Sequence, residues 1–159
     1  MTDMLVKLYD LPETLSTFSN LVAPDITIRK PIGTEKSLAV KWVRENFEEG
    51  WGTEMEVSFS RAPTSSYIAQ HGRNMVGFAC YDTAALGLFG PMGVLESMQG
   101  KGIGKALLLA CLVEMKIKGY GYAVVGWAGP QEFYAKVAGA VAIPDSTPGI
   151  WKNWLGGSE

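Results

Sequence analysis

The sequence predicts an α/β (α+β) chain, a mixed sheet with helices on both faces, and three observations predict it. Short alternating or β-branched runs at 26–29, 66–69, 75–81 and 122–127 are strand-like. Longer stretches over 34–47 and 101–118 place apolar residues at helical spacing or all round. A glycine-rich octet, Gln99-Gly100-Lys101-Gly102-Ile103-Gly104-Lys105-Ala106, joins an apolar strand-like run (Leu86 to Leu95) to an apolar helix-like run (Ala106 to Met115). With 159 residues the length suits one domain, residues 1–159, with a sizeable core.

Taken in order, residues 1–23 read as an N-terminal extension packed on the domain edge. Leu15, Phe18, Leu21 and Val22 suit a short helix after Pro12. Ile26-Thr27-Ile28-Arg29 alternates and reads as the first strand. Thr34 is placed to cap a helix running to Phe47, with Leu38, Ala39, Trp42, Val43 and Phe47 along one stripe. Residues 48–63 fit either a helix or a loop, since Gly50 and Gly52 flank Trp51 while Met55, Val57 and Phe59 alternate. Ser66 to Ala69 and Met75 to Tyr81 surround His71-Gly72-Arg73-Asn74, a hairpin signal.

A second turn over 82–86 leads into the strand that feeds the octet. The helix over 101–118 is apolar nearly all round, so it is expected at the centre, against the sheet. Gly119-Tyr120-Gly121 ends it, Tyr122 to Trp127 forms a strand, and Pro130 opens a helix through Val137. Gly139 to Ile143 and Ile150 to Trp154 read as two closing strands. The count is about seven strands.

Composition narrows the function. At 47% hydrophobic and 19% charged residues the chain is an ordered globular one. A net charge of −2 and a pI near 5.5, with scattered basic residues, give no reason to expect nucleic acid. Cys80 and Cys111 show no metal or redox spacing and read as buried free thiols. The N-terminus lacks a signal-peptide pattern and the longest all-apolar run, Ala106 to Val113, is too short for a membrane span, so a cytoplasmic, membrane-free protein is expected.

The octet carries the chemistry. The first turn of a helix offers unpaired N–H groups and the positive end of the macrodipole. Glycines let those amides approach an anion, and Lys101 and Lys105 add formal charge on the same turn. A Walker A loop is excluded, because Gln99 stands where its first glycine belongs and Ala106 where its Ser or Thr belongs. The dinucleotide fingerprint fails at its third glycine, which is Lys105, and no acid stands near position 120. What fits is Gln/Arg-x-x-Gly-x-Gly/Ala, here Gln99, Gly102 and Gly104.

With Val94 five residues before Gln99, and Phe133-Tyr134-Ala135-Lys136 further on, the chain resembles the GNAT superfamily of acyl-CoA-dependent N-acetyltransferases over roughly Ile26 to Ile143. The resemblance implies the GNAT fold, a mixed, mostly antiparallel sheet whose fourth and fifth strands, 86–95 and 122–127 in this count, run parallel and splay apart. It implies acetyl-CoA as co-substrate, no metal and a small-molecule or peptide amine as acceptor, and it allows a homodimer. Backbone groups of Val94 and Leu95 are expected against pantetheine and the acetyl carbonyl. The amides of Gln99, Gly100, Lys101, Gly102, Ile103, Gly104 and Lys105 are expected on the pyrophosphate, and Tyr134 as general acid. Gly90-Pro91-Met92-Gly93-Val94 suits the splay, since Pro91 has no N–H to give a ladder.

No motif identifies the general base. Glu54 and Asp82 are acids near strand ends or the acceptor groove, a relayed water is an alternative, and His71, the sole histidine, sits at a hairpin tip. Trp42, Phe47, Trp51, Trp127, Trp151 and Trp154 suit either an acceptor site for a sugar face or a cation, or core and dimer packing. Two departures from the family pattern stand out: the Asn often found near Trp127 is missing, and the ending after Tyr134 is longer by one residue and lacks its Phe. The implied activity is acetyl transfer from acetyl-CoA to a primary amine; the alternative is a catalytically silent CoA-binding protein of the same fold.

Overall fold

The computed structural model describes residues 1–11 and 18–157. Its elements are β1 (Met4–Lys7), β2 (Ile26–Arg29), α1 (Lys36–Asn46), α2 (Glu49–Ser58), β3 (Ser66–His71), β4 (Asn74–Tyr81), β5 (Leu88–Val94), α3 (Ile103–Lys118), β6 (Tyr122–Val125), α4 (Gln131–Ala138) and β7 (Val141–Ala142). One seven-stranded sheet has the order β2-β3-β4-β5-β6-β1-β7. Every neighbouring pair is antiparallel except β5 and β6, which are parallel. This is the expected mixed sheet, with the parallel pair counted one higher because of β1.

Alternation along the strands serves two cores. Tyr67 and Ala69 of β3 face α3 and α4, while Ile68, together with Phe78 and Cys80 of β4, faces α1 and α2. α3 buries ten of its residues, including Leu107, Leu108 and Leu112, which is why its sequence lacks a polar stripe. Ala39, Val40 and Val43 of α1 and Met55 of α2 close the opposite face. Cys80 and Cys111 are both free and buried. Among the described residues no helix is long and apolar enough to cross a membrane.

Four local readings change. Residues 4–7 are a strand within the sheet rather than part of an edge extension; Met4 and Val6, buried at 3% and 0% exposure, wedge between β6 and β7. The helix expected after Pro12 falls mostly outside the described residues, and 18–22 form turns. Ile150 to Trp154 is not a strand: a 3-10 turn spans Gly149–Trp151. The left-handed backbone at Asp145 and Gly149 turns this segment back, and Trp151 packs on Trp127 at 5.2 Å between ring centroids, so aromatic burial wins over an exposed sheet edge. Thr34 does not cap α1; a 3-10 turn at Gly33–Glu35 precedes it, and Glu35 Oε2 accepts the Ile32 N–H at 2.9 Å.

The ambiguous 48–63 stretch resolves as helix α2, because Gly52 lies against the Arg44 side chain and Met55 must reach the second core. The hairpin closes through Gly72-Arg73, with His71 opposite Asn74 and Gly72 at φ +60°.

Candidate active site

β5 and β6 pair only at Leu88 with Val124 and Phe89 with Val125. Beyond Phe89 the strands part, for reasons visible on both sides. On β5, Pro91 has no N–H to offer and Gly90 adopts φ +123°. Past β6, the chain is drawn toward β1: the Trp127 N–H donates to Asp3 Oδ1 at 2.8 Å and the Ala128 N–H to Thr2 O at 2.9 Å. Gly93 serves a different purpose from the one expected, since a Cβ there would run into the Phe47 ring.

The register decides which β5 groups face the gap. Leu95 donates its N–H to Val76 O at 2.9 Å, so these two form a hydrogen-bonded pair with β4. The adjoining pair, Gly77 with Val94, is then of the non-bonded kind, and so is Ala79 with Met92. The N–H and C=O of Val94 and Met92 therefore point away from β4, toward the opening. Gln99 Nε2 reaches Val94 O at 3.4 Å. Leu95 differs from expectation: its N–H is on Val76 and its C=O accepts the Met98 N–H at 2.8 Å, so both backbone groups are engaged within the chain.

At the far end of the gap stands the N-terminus of α3. Gly102, at φ +80°, precedes the helix, and the first octet amide with a backbone acceptor inside the helix is Ala106, which donates to Gly102 O at 3.0 Å. The N–H groups of Gly100 to Lys105 have no acceptor among the described residues; Gln99 N–H is taken by Glu96 O. These six donors lie in and just before the first turn of a 16-residue helix, at its positive end. Ile103 is buried in the core, so only its amide is available. A Cβ at Gly102 would strike the Leu21 carbonyl. One at Gly104 would meet Phe133, Val94 and Met92 at 3.9–4.0 Å, which shows that the amide cluster adjoins the gap. The arrangement fits an elongated ligand with an anionic head at α3 and a polar, hydrogen-bonding tail along β5.

At the near end the gap opens into a cleft of about 370 Å³. Tyr134, from the buried face of α4, lines it beside Phe89, against which its ring packs edge-on at 6.2 Å. Its hydroxyl has no hydrogen-bond partner among the described residues, and burial pushes its pKa up to about 12. Across the cleft α2 presents Glu54. Burial raises this carboxyl to about 7, a hydrogen bond from Thr83 Oγ1 at 3.3 Å opposes the rise, and the nearby Glu48 adds to it. Thr83 Oγ1 also reaches Gly90 O at 3.2 Å, so its one hydroxyl proton is shared between Glu54 and the strand.

Of the two acids singled out by sequence, Glu54 enters the cleft and Asp82 does not. Asp82 is fully buried, accepting the Gly87 N–H at 2.7 Å and the Lys118 ammonium at 2.9 Å, and it holds the turn before β5. His71 stays at the hairpin tip, paired with Asp25 at 3.0 Å. Trp51, Trp127 and Trp151 line the cleft; Trp51 also packs on the second core with Trp42 and Phe47, stacked on Phe47 at 5.3 Å between ring centroids. Lys136 is exposed. Sequence reasoning missed Asp3, Thr83 and Glu48; no local motif marks any of them, since each acts on a residue far away or across a turn.

A seven-stranded sheet parted beside a helix N-terminus with free amides is the frame of the site. Residues 62–137 match the family model described as acetyltransferase (GNAT) domain, and the chain has the GNAT fold of the solved structures it is similar to. No curated protein matches the sequence. Among solved structures, the chain is similar to a GCN5-related glucosamine N-acetyltransferase region of a fungal multi-domain β-N-acetylglucosaminidase, at 13% identity and TM-score 0.70, covering 89% of this chain and 19% of that one. It is similar to a GCN5-related N-acetyltransferase from Sphaerobacter thermophilus, at 20% identity and TM-score 0.67, covering 89% and 48%. It is also similar to a GNAT family acetyltransferase from Brucella melitensis in complex with acetyl-CoA, at 21% identity and TM-score 0.54, covering 74% and 86%. The chain thus spans less than half the length of the first two.

Proposed function

We propose that this chain is an acetyl-CoA-dependent N-acetyltransferase acting on a primary amine. The observation that carries the reading is the joint position of Glu54 and Tyr134 on one cleft, at the mouth of the gap beside Met92 and Val94 that runs to the free amides of α3. Amides 100–105 are suited to the diphosphate, and the Val94 and Met92 backbone groups to the pantetheine amides. Similarity to the acetyl-CoA-bound Brucella melitensis acetyltransferase supports this ligand.

Acetyl-CoA, when bound, supplies the activated acyl carbon and a thiol leaving group. The protein moves the protons. Glu54, with a pKa of about 7, takes a proton from the ammonium of the acceptor and frees the nitrogen lone pair to bond the acyl carbon; the second nitrogen proton, released as the amide forms, returns to the Tyr134 oxygen. Val94 N–H, turned toward the gap, is the donor available to the acyl oxygen. Tyr134, held protonated by burial, gives its hydroxyl proton to the departing sulfur as the carbon–sulfur bond breaks. An acid and a base on one cleft favour catalysis over a silent CoA-binding role.

Tyr134→Phe is expected to lower kcat by about 10²-fold while acetyl-CoA affinity holds, read by thiol release and by calorimetric titration. Unchanged turnover removes Tyr134 from the reaction. For the cofactor, acetyl-CoA at 100 times its Kd adds about 2.7 kcal/mol to the stability of the fold, a rise of several degrees in Tm; no rise at millimolar acetyl-CoA overturns the proposal.

A further inference from the structure

The cleft contains more about its acceptor than that it is an amine. Its polar side chains are two carboxylates, Glu48 and Glu54, the Tyr134 hydroxyl and three indoles. No Lys, Arg or His lines it, and no Ser, Thr, Asn or Gln either, among the described residues. The remaining wall is aromatic and aliphatic. Trp51 comes from α2, Trp127 from the end of β6 and Trp151 from the C-terminal segment.

Each feature selects. Two carboxylates favour a cationic group at the reacting end, and indole faces favour a cation or a flat apolar body behind it. A carboxylate or phosphate on the acceptor would meet no cationic side chain among the lining residues and two carboxylates, with Met1 as the one lining residue that carries an amino group. An amino sugar presents several hydroxyls, and here they would meet few side-chain partners, leaving buried polar groups unpaired.

We infer that the acceptor is an apolar-bodied monoamine, an aryl- or alkylamine without an acid group, held between Trp51, Trp127 and Trp151 with its ammonium at Glu54. This rests on the acetyltransferase reading above. Trp151 is the wall residue best suited to a test. It lies outside both cores, in a 3-10 turn anchored by main-chain and hydroxyl bonds such as Thr147 Oγ1 to Met1 O at 2.9 Å, so its loss leaves the fold intact.

The test uses the full chain with acetyl-CoA and four probes: 2-phenylethylamine, phenylalanine, glucosamine and spermidine. Thiol release is expected to give a kcat/KM for 2-phenylethylamine at least about 10²-fold above phenylalanine, which differs only by its carboxylate, and above glucosamine. Trp151→Ala is expected to raise KM for 2-phenylethylamine about tenfold with the acetyl-CoA thermal shift unchanged. Preference for phenylalanine, glucosamine or spermidine, or binding of acetyl-CoA with no turnover of 2-phenylethylamine, overturns the inference and leaves cofactor binding standing. Absence of any acetyl-CoA thermal shift overturns the acetyltransferase reading itself.

Discussion

Glu54→Gln is expected to lower turnover at pH 8 by roughly 10²–10⁴-fold and, in the same protein, to raise its melting temperature. Both effects come from one cause. Burial holds the Glu54 carboxyl at about 7 against an ordinary value near 4.5, so ionising it in the fold costs more than ionising it in the unfolded chain. Because the folded pKa lies above the unfolded one, the penalty is absent below about pH 4.5, grows between 4.5 and 7, and is complete above. Its full size is up to roughly 3 kcal/mol. The neutral amide keeps the shape and can still meet the Thr83 hydroxyl, so it escapes that penalty at pH 8 and gains nothing at pH 4.5. Thermal melts of the two proteins at both pH values, beside a pH–rate profile of the parent that rises with an apparent pKa near 7, check the assignment. A variant that is stabilised yet fully active would leave Glu54 a buried acid without a catalytic part.

Gly104→Asp is expected to abolish the acetyl-CoA thermal shift, with affinity down by about 10²-fold or more from charge repulsion at short range, while the free protein melts no lower than the parent. Gly104 has an ordinary helical backbone, and a Cβ there finds its nearest neighbours at 3.9 Å, so the side chain fits. An acid in the first turn of α3 also suits the helix dipole, and aspartate propagates a helix better than glycine. What it spoils is the amide cluster as an anion site. Gly104→Ala is the control and is expected to bind within a few-fold of the parent. Gly102 is the poorer position to alter: φ of +80° and the Leu21 carbonyl tie it to the fold, so its loss confounds folding with binding. Retained binding by Gly104→Asp, measured by calorimetry, would falsify the placement of the diphosphate at α3.

Elements whose pattern is local were legible in the linear chain. The all-round apolar character of 103–118 made α3 central, the glycine spacing from Gln99 to Gly104 marked the turn into that helix, and Gly72 marked the hairpin. Val94 and Tyr134 were legible for the same reason, since each stands at a fixed distance from such an element. Local pattern failed where burial is granted by distant chain. β1 has four residues, too few to show a period, and becomes a strand because β6 and β7 lie on either side of it. The last segment has the apolar residues of a strand and folds instead onto Trp127.

Which of the two acids enters the cleft was decided by tertiary packing. Asp82 and Glu54 are equivalent acids in the linear chain. Lys118 and the Gly87 amide take up the first, while the packing of α2 against the sheet leaves the second half-buried, without a cation, facing Tyr134 across the cleft. Likewise the parting of β5 and β6 needs Asp3, more than a hundred residues away, to hold Trp127 aside. A carboxyl pKa and a gap between strands both depend on what long-range folding brings within a few ångströms, and spacing along the chain does not record that.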